Sequence, residues 1–228
     1  MVKGIRENIH YGATVIKIVV DDQRYIYSTD DIRFMVDEAA RAGLRLAAHV
    51  WTRQGAHNAA AAGVASMEHL TGADEQDLET AKKNGTIAVF TPFPLAELER
   101  QMPKDAAPAA FDAQIAQLQK GLRAGIPIVF GSDAIMEAPG LTRGQTALTW
   151  IDSYVRAGMP AKGILKAMTS SAARLLGVDK ERGTLAVGMA ADIIATPENP
   201  FDTIATLKSV TFVMKDGRVV RSPGAAGR

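Results

Sequence analysis

Pro127-Ile128-Val129-Phe130-Gly131-Ser132-Asp133-Ala134 is the stretch on which the fold turns. A short apolar run with β-branched residues, entered after Arg123-Ala124-Gly125 and closed by a carboxylate, predicts a buried strand that delivers Asp133 at its open end. The same order of parts recurs upstream. Arg41-Ala42-Gly43 leads into Leu44-Arg45-Leu46-Ala47-Ala48-His49, and Ala61-Ala62-Gly63 leads into Val64-Ala65-Ser66-Met67-Glu68-His69. Both of those runs end on histidine. Earlier still, a helix carried by Val2, Ile5 and Ile9 and closed by Gly12 feeds an apolar strand over residues 13–20 with Lys17 inside it.

Between these strands the helical pattern returns each time. Ser28 or Thr29, followed by Asp30 and Asp31, opens a helix to about Ala42 whose apolar face is Ile32, Met35, Val36 and Ala39. Residues 53–62 and 74–83 give two more helices, stopped at Gly63 and Gly85. A strand over 86–90 runs into Thr91-Pro92-Phe93-Pro94, which is unfit for a helix interior. A partly helical excursion over 95–108 and a strong helix over 111–124 lead to the Asp133 strand. Five helix-glycine-strand passages predict parallel β/α units, because neighbouring parallel strands need a crossover helix.

After Asp133 the pattern predicts two helices, over 144–157 and 160–176, and then short strands within 183–195 and 210–220 with a hairpin turn at Asp216-Gly217. The expected division is an α/β part over 1–182 and a small β-strand appendage over 183–228, with 222–228 frayed.

Bulk composition excludes more than it assigns. With 26 basic and 25 acidic residues the formal net charge is +1, which gives no electrostatic case for nucleic acid. There is no cysteine, so disulfides and thiolate metal sites are excluded and any metal must be held by nitrogen and oxygen. No apolar run approaches the roughly 20 residues that span a bilayer, and the first residues do not read as a secretory signal, so no membrane role and a cytoplasmic location are expected.

Lys17, His49, His69 and Asp133 then stand at or near the ends of separate strands, where β/α barrels place their chemistry. Two imidazoles and a carboxylate suit zinc or a similar divalent ion. Lysine fits less directly, but an amine kept neutral by apolar neighbours can add carbon dioxide and become an anionic oxygen ligand. Each residue also has a plainer reading. Lys17 can snorkel from a strand, either histidine can hold a loop, and Asp133 can cap the following segment. His10 and His57 read as structural or exposed. Arg24, Tyr25 and Tyr27, in the loop after the lysine strand, are candidates for a substrate carboxylate, with a solvated loop as the alternative.

At these residues the sequence resembles the amidohydrolase superfamily, and most of all its imidazolonepropionase-like and Xaa-Pro dipeptidase-like branch. The likeness rests on Gly12-Ala13-Thr14-Val15-Ile16-Lys17, Ala47-Ala48-His49, Met67-Glu68-His69 and Gly131-Ser132-Asp133-Ala134, with Thr169 to Gly177 and the run from Gly183-Thr184-Leu185 to Asp192-Ile193-Ile194 as closing segments. It implies a TIM-type (β/α) barrel with a β-sandwich, and one or two divalent metals, zinc first, that activate water against an amide-type bond in a small-molecule or dipeptide substrate. It also implies roles: Lys17 as a carboxylated bridging ligand, His49 and His69 on one metal, and Asp133 as metal ligand and proton shuttle.

One departure stands out. The family's opening His-x-His strand is absent, for the four histidines never occur at that spacing. Five units, matching strands four to eight, cannot close an eight-stranded barrel. The expectation is therefore a partial barrel with half a sandwich, impaired alone, that lacks an N-terminal half or forms a homo-oligomer. The rival from another class is a non-catalytic half that pairs with an N-terminal partner or with itself. A five-stranded doubly wound fold, with its ligand at a switch point, remains a further alternative.

Overall fold

Val15–Val19 (β1), Arg45–Val50 (β2), Ser66–His69 (β3) and Ile87–Phe90 (β4) pair in parallel, each with the next, and Ile128–Phe130 (β5) follows in the order β1-β2-β3-β4-β5. The structure is a computed structural model that describes residues 1–135 and 137–223, so the fraying expected at 222–228 lies mainly outside the described residues. By Cα proximity the chain forms two compact units. The first is Met1–Thr91 with Ala116–Ile128, and the second is Pro92–Ile115 with Val129–Arg228.

In the first unit the helices follow their caps. Ser28 accepts from the Asp31 N–H and the Asp31 carboxylate accepts from the Ser28 N–H, a reciprocal box that starts Thr29–Ala40 (α2). Thr52 caps Arg53–Ala62 (α3), and Asp74 with Asp77 boxes Glu75–Lys83 (α4). Thr52 follows the end of β2 within two residues, so that βα turn is short, whereas Ser28 and Asp74 stand at the far ends of longer loops. Val2–His10 (α1) is tied to α2 by Arg6, whose Nε donates to Glu38 Oε1 at 2.5 Å while Arg41 donates to Oε2 at 3.0 Å. Arg6 first, then Arg41, holds the Glu38 carboxyl below its ordinary range.

Burial is one-sided at β1, while at β4 the consecutive residues Ala88, Val89 and Phe90 are all buried. Ile16, Leu46, Ala48, Val50, Met67 and Ala88 are buried, against Ile32, Met35 and Ala39 of α2 and the small residues Ala56, Ala59 and Ala60 of α3. Alanine there lets the helix lie close to the strands, and burying each larger aliphatic contributes about 1.5–3 kcal/mol. The other face is open at β1, where Val15 is 46% and Val19 43% exposed. This first strand is an edge strand covered on one face only.

In the second unit, Leu95–Gln101 (α5) supplies the helical part of the predicted excursion, and Ala107–Ala124 (α6), which spans both units, starts four residues earlier than the sequence pattern suggests. The two helices expected after Asp133 are four: Arg143–Leu148 (α7), Ile151–Arg156 (α8), Ala161–Met168 (α9) and Ser170–Leu176 (α10). Threonines mark both breaks. Thr149 Oγ1 donates back to the Thr146 carbonyl at 2.7 Å and Thr169 Oγ1 to the Leu165 carbonyl at 2.6 Å, and at Thr169 the backbone leaves the helical region.

Ile193–Ala195 (β6), Phe212–Lys215 (β7) and Arg218–Arg221 (β8) form an antiparallel sheet, with a 3-10 helix at Ile204–Ser209. The predicted hairpin is present, with φ of 48° at Asp216 and 76° at Gly217, both in the left-handed region that suits a two-residue turn. Residues 183–192, expected to be part strand, form loop and turn with Leu185 and Val187 exposed. Among the described residues no helix is long and apolar enough to cross a membrane.

Asp192 fastens this sheet. It accepts from the Asp216 N–H at 2.8 Å, from Lys215 Nζ at 3.0 Å, and from Arg182. The backbone bond first, then Lys215, lowers the Asp192 carboxyl from 3.8 to about 2. A carboxyl depressed in the folded state stabilises fully above its unfolded value and loses that contribution as pH falls through the folded one. Thermal melts followed between about pH 5 and about pH 2 are expected to show the second unit weakening below about pH 4. Asp192→Asn should flatten that part of the profile; an unchanged profile would remove the network from the account.

Candidate metal centre

The register sets out what alternation alone would do. Val19 pairs with His49 and Lys17 with Ala47, so Lys17, Val19 and His49 lie on one face of the sheet. His49 pairs with Glu68, and Val50 with His69. Strict alternation would therefore send His69 to the helix-covered face with Val50, away from His49.

The backbone breaks the alternation. His69 has φ of 69° and Leu70 of 57°, and the Leu70 N–H donates to the Glu68 carbonyl at 2.9 Å, a three-residue γ-turn of the rarer, positive-φ kind centred on His69. As a result the His49 and His69 rings meet edge-on with centroids 4.6 Å apart. Holding a bulky residue there costs about 1–3 kcal/mol and persists only where its surroundings over-determine it. They do so. Leu70 is fully buried, and Gln117 of α6, itself buried, donates to the carbonyls of Leu70 at 2.7 Å and Ala73 at 2.8 Å. His69 Nδ1 shares a 2.6 Å hydrogen bond with Thr91 Oγ1, which fixes the ring's orientation.

His49 is held from both sides. Its carbonyl accepts from the Val20 N–H at 3.1 Å, and the next turn is gripped by Asp21. That carboxylate, 5% exposed, accepts from the N–H of Trp51 at 2.9 Å, the N–H of Thr52 at 2.6 Å and the hydroxyl of Thr52 at 2.7 Å. Gly55 is required by the same grip, since a Cβ there would lie 2.0 Å from Asp21 Oδ2. Trp51 stacks on the His49 ring at an interplanar angle of 7° and meets His69 edge-on.

The turn after β3 is pressed against the turn after β2. A Cβ on Gly72 would lie 2.3 Å from the backbone of Thr52 and Arg53, which cannot give way as a flexible side chain can. Gly72→Ala is expected to cost about 3 kcal/mol, read as a lowered urea midpoint, whereas Gly4→Ala, with nothing within 4 Å of the added Cβ, should not lower it. Equal midpoints for the two variants would contradict this packing.

Of the four predicted ligands the structure brings together His49 and His69. Lys17 is on the His49 face but exposed, so the expected apolar enclosure of its amine is not met: β1 is the sheet edge and its neighbours Val15 and Val19 are themselves open. Asp133 lies beyond the end of β5, exposed, with φ of 49°. Among the described residues no three His, Cys, Asp or Glu side chains are grouped closely enough to hold an ion. Arg24 sits in an exposed loop, and Tyr25 donates to Asp31 Oδ2 at 3.2 Å with Tyr27 edge-on beside it, so this loop braces the start of α2. His57, read as structural or exposed, is exposed and lies 3.1 Å from Asp77 Oδ1.

The histidine pair suits a divalent ion on one observation. His49 Nε2 is buried with no hydrogen-bond partner among the described residues, and the nearest carboxylate oxygen, of Asp22, is 3.9 Å away. An unpaired buried nitrogen costs about 1–3 kcal/mol, and a cation would satisfy it. Asp21, Trp51, Thr91 and Gln117 were not singled out by the sequence. Trp51 alone had a local signal, since it lies two residues after His49 and so on the same strand face.

A profile of the Amidohydrolase family matches residues 2–220, and the chain belongs to that family. It is similar to ochratoxinase of Aspergillus niger, 32% identical over 242 residues that cover 97% of this chain and 49% of that protein. Imidazolonepropionase of Thermoanaerobacter pseudethanolicus is 28% identical over 164 residues, 70% of this chain and 36% of that one. A crystal structure of a Xaa-Pro dipeptidase with bound methionine superposes with a TM-score of 0.84 at 27% identity, covering 97% of this chain and 58% of the other. The chain thus spans half or less of the length of these curated relatives.

Proposed function

We propose that this chain is the metal-binding portion of a metal-dependent amidohydrolase that cleaves amide or peptide-type C–N bonds. The observation that carries the reading is the γ-turn that brings His69 onto the face of His49, whose Nε2 is buried and unpaired. His49 and His69 would hold a divalent ion, zinc first among candidates for two imidazoles without thiolates. Such an ion supplies a water of lowered pKa and a polarised carbonyl. Asp133, on the segment after β5, would serve as a further oxygen ligand and as the base that takes a proton from water and returns it to the leaving amine.

Lys17 joins only when its face of β1 is covered, because an exposed amine gains nothing from desolvation. Small amides and dipeptides are the substrate class, in keeping with the likeness to the Xaa-Pro dipeptidase. Calorimetric titration of the purified chain with zinc tests the reading. A chelator-reversible ion per chain supports it, and the absence of heat beyond dilution ends it.

A second reading is favoured by the edge of β1. Among the described residues the strand has no neighbour on its outer side, and a cavity of about 270 Å³ lies beside it, lined by Ile5 and Asn8 of α1, Ile16, Ile18 and Met35. An open apolar edge recruits another strand. An N-terminal segment like that of the longer relatives, or a second copy, would pair there and enclose Lys17. Light scattering decides: a compact monomer at all concentrations counts against pairing with itself, and a dimer supports it.

A further inference from the structure

Trp51 is not a metal ligand and is not required by the hydrophobic core, yet it is placed with care. It is 48% exposed, whereas the chain's other tryptophan, Trp150, is 1% exposed. One face of the indole lies against the His49 imidazole at 7°, with centroids 5.9 Å apart, and the His69 ring stands edge-on at 5.5 Å. A half-exposed indole whose inner face is stacked has its outer surface turned to water. Its backbone is not free to withdraw, because both Asp21 carboxylate oxygens accept from the Trp51 N–H, at 2.9 and 3.1 Å. A large aromatic surface held open beside two imidazoles is suited to an aromatic ligand, since offset rings add attraction beyond area burial.

We propose that Trp51 is the wall of an aryl-binding subsite beside the histidine pair, so that preferred substrates carry an aromatic or other flat unsaturated group next to the amide. This rests on the hydrolase reading for the location of the bond that is cut, but the stacking itself needs no metal. Arg24, Tyr25 and Tyr27 are not part of the wall, as that loop braces α2.

The test uses the full chain, supplemented with zinc, and two amides that differ in one group: N-benzoylglycine and N-acetylglycine. Calorimetry is expected to show the benzoyl compound binding roughly two- to tenfold more tightly. In Trp51→Leu, which keeps an apolar side chain but removes the ring, the ratio of the two affinities should fall to near one. In Trp51→Phe it should stay above two. No preference in the wild-type chain, a preference that survives in Trp51→Leu, or binding of neither compound would overturn the wall. The zinc titration separates the two ideas. Zinc bound without an aryl preference leaves the hydrolase reading standing and removes the subsite; a Trp51-dependent preference without zinc does the reverse.

Discussion

Replacing His69 with alanine is expected to lower zinc affinity about 100-fold or more, and replacing His49 should do the same. Both imidazoles come from the ends of adjacent parallel strands, and the chain spends backbone strain to bring the second onto the face of the first. Loss of either removes a nitrogen donor and leaves the other without the neighbour that shares the charge. Thr91→Val is expected to have a smaller effect, about tenfold, because it removes the partner of His69 Nδ1 and frees the ring to turn while leaving both donors in place. Competition titration against a coloured chelator gives all three values. Equal affinities for wild type and both alanine variants would show that zinc, if bound, sits elsewhere.

The second large effect concerns stability. Asp21→Ala is expected to cost about 2–4 kcal/mol, because the part-buried N–H groups of Trp51 and Thr52 and the Thr52 hydroxyl would all lose their acceptor, a buried carboxylate. Asp21→Asn should cost nearly as much. The amide keeps the shape but turns a donor toward donors, and the space left by Gly55 admits no adjustment, given the 2.0 Å approach. Urea unfolding followed by circular dichroism measures both. A midpoint shift below that expected for an exposed loop aspartate such as Asp22, in an Asp22→Ala control, would refute the clamp.

Much of the first unit was legible in the sequence because its signals are local. Glycine after helix, an apolar run of strand length, and Ser, Thr or Asp before the next helix recur in fixed order, and the strands and caps fall where that order places them. The histidines could be assigned to strand ends for the same reason. Their meeting could not. It depends on a γ-turn stabilised by Gln117, an amide 47 residues from Leu70 with no sequence signature.

Lys17 shows the opposite failure. Its apolar neighbours suggested enclosure, but enclosure depends on what lies beside β1, and in this structure that side is an edge. After Asp133 the apolar periodicity was real, yet the backbone leaves the helical region at Thr169, with φ of −126° and ψ of −96°, and splits a helix that the pattern would have run together. Composition and periodicity report faces; they do not report a single residue whose backbone leaves the helix.

X-ray absorption at the zinc edge, on the zinc-loaded chain, tests most directly whether His49 and His69 share one cation. Two imidazole nitrogens at about 2.0–2.1 Å, with oxygen donors filling the remaining positions, are predicted, and the imidazole scattering should drop to one ring in His69→Ala. A shell of oxygens alone, or an imidazole count that does not respond to either histidine substitution, would contradict the account.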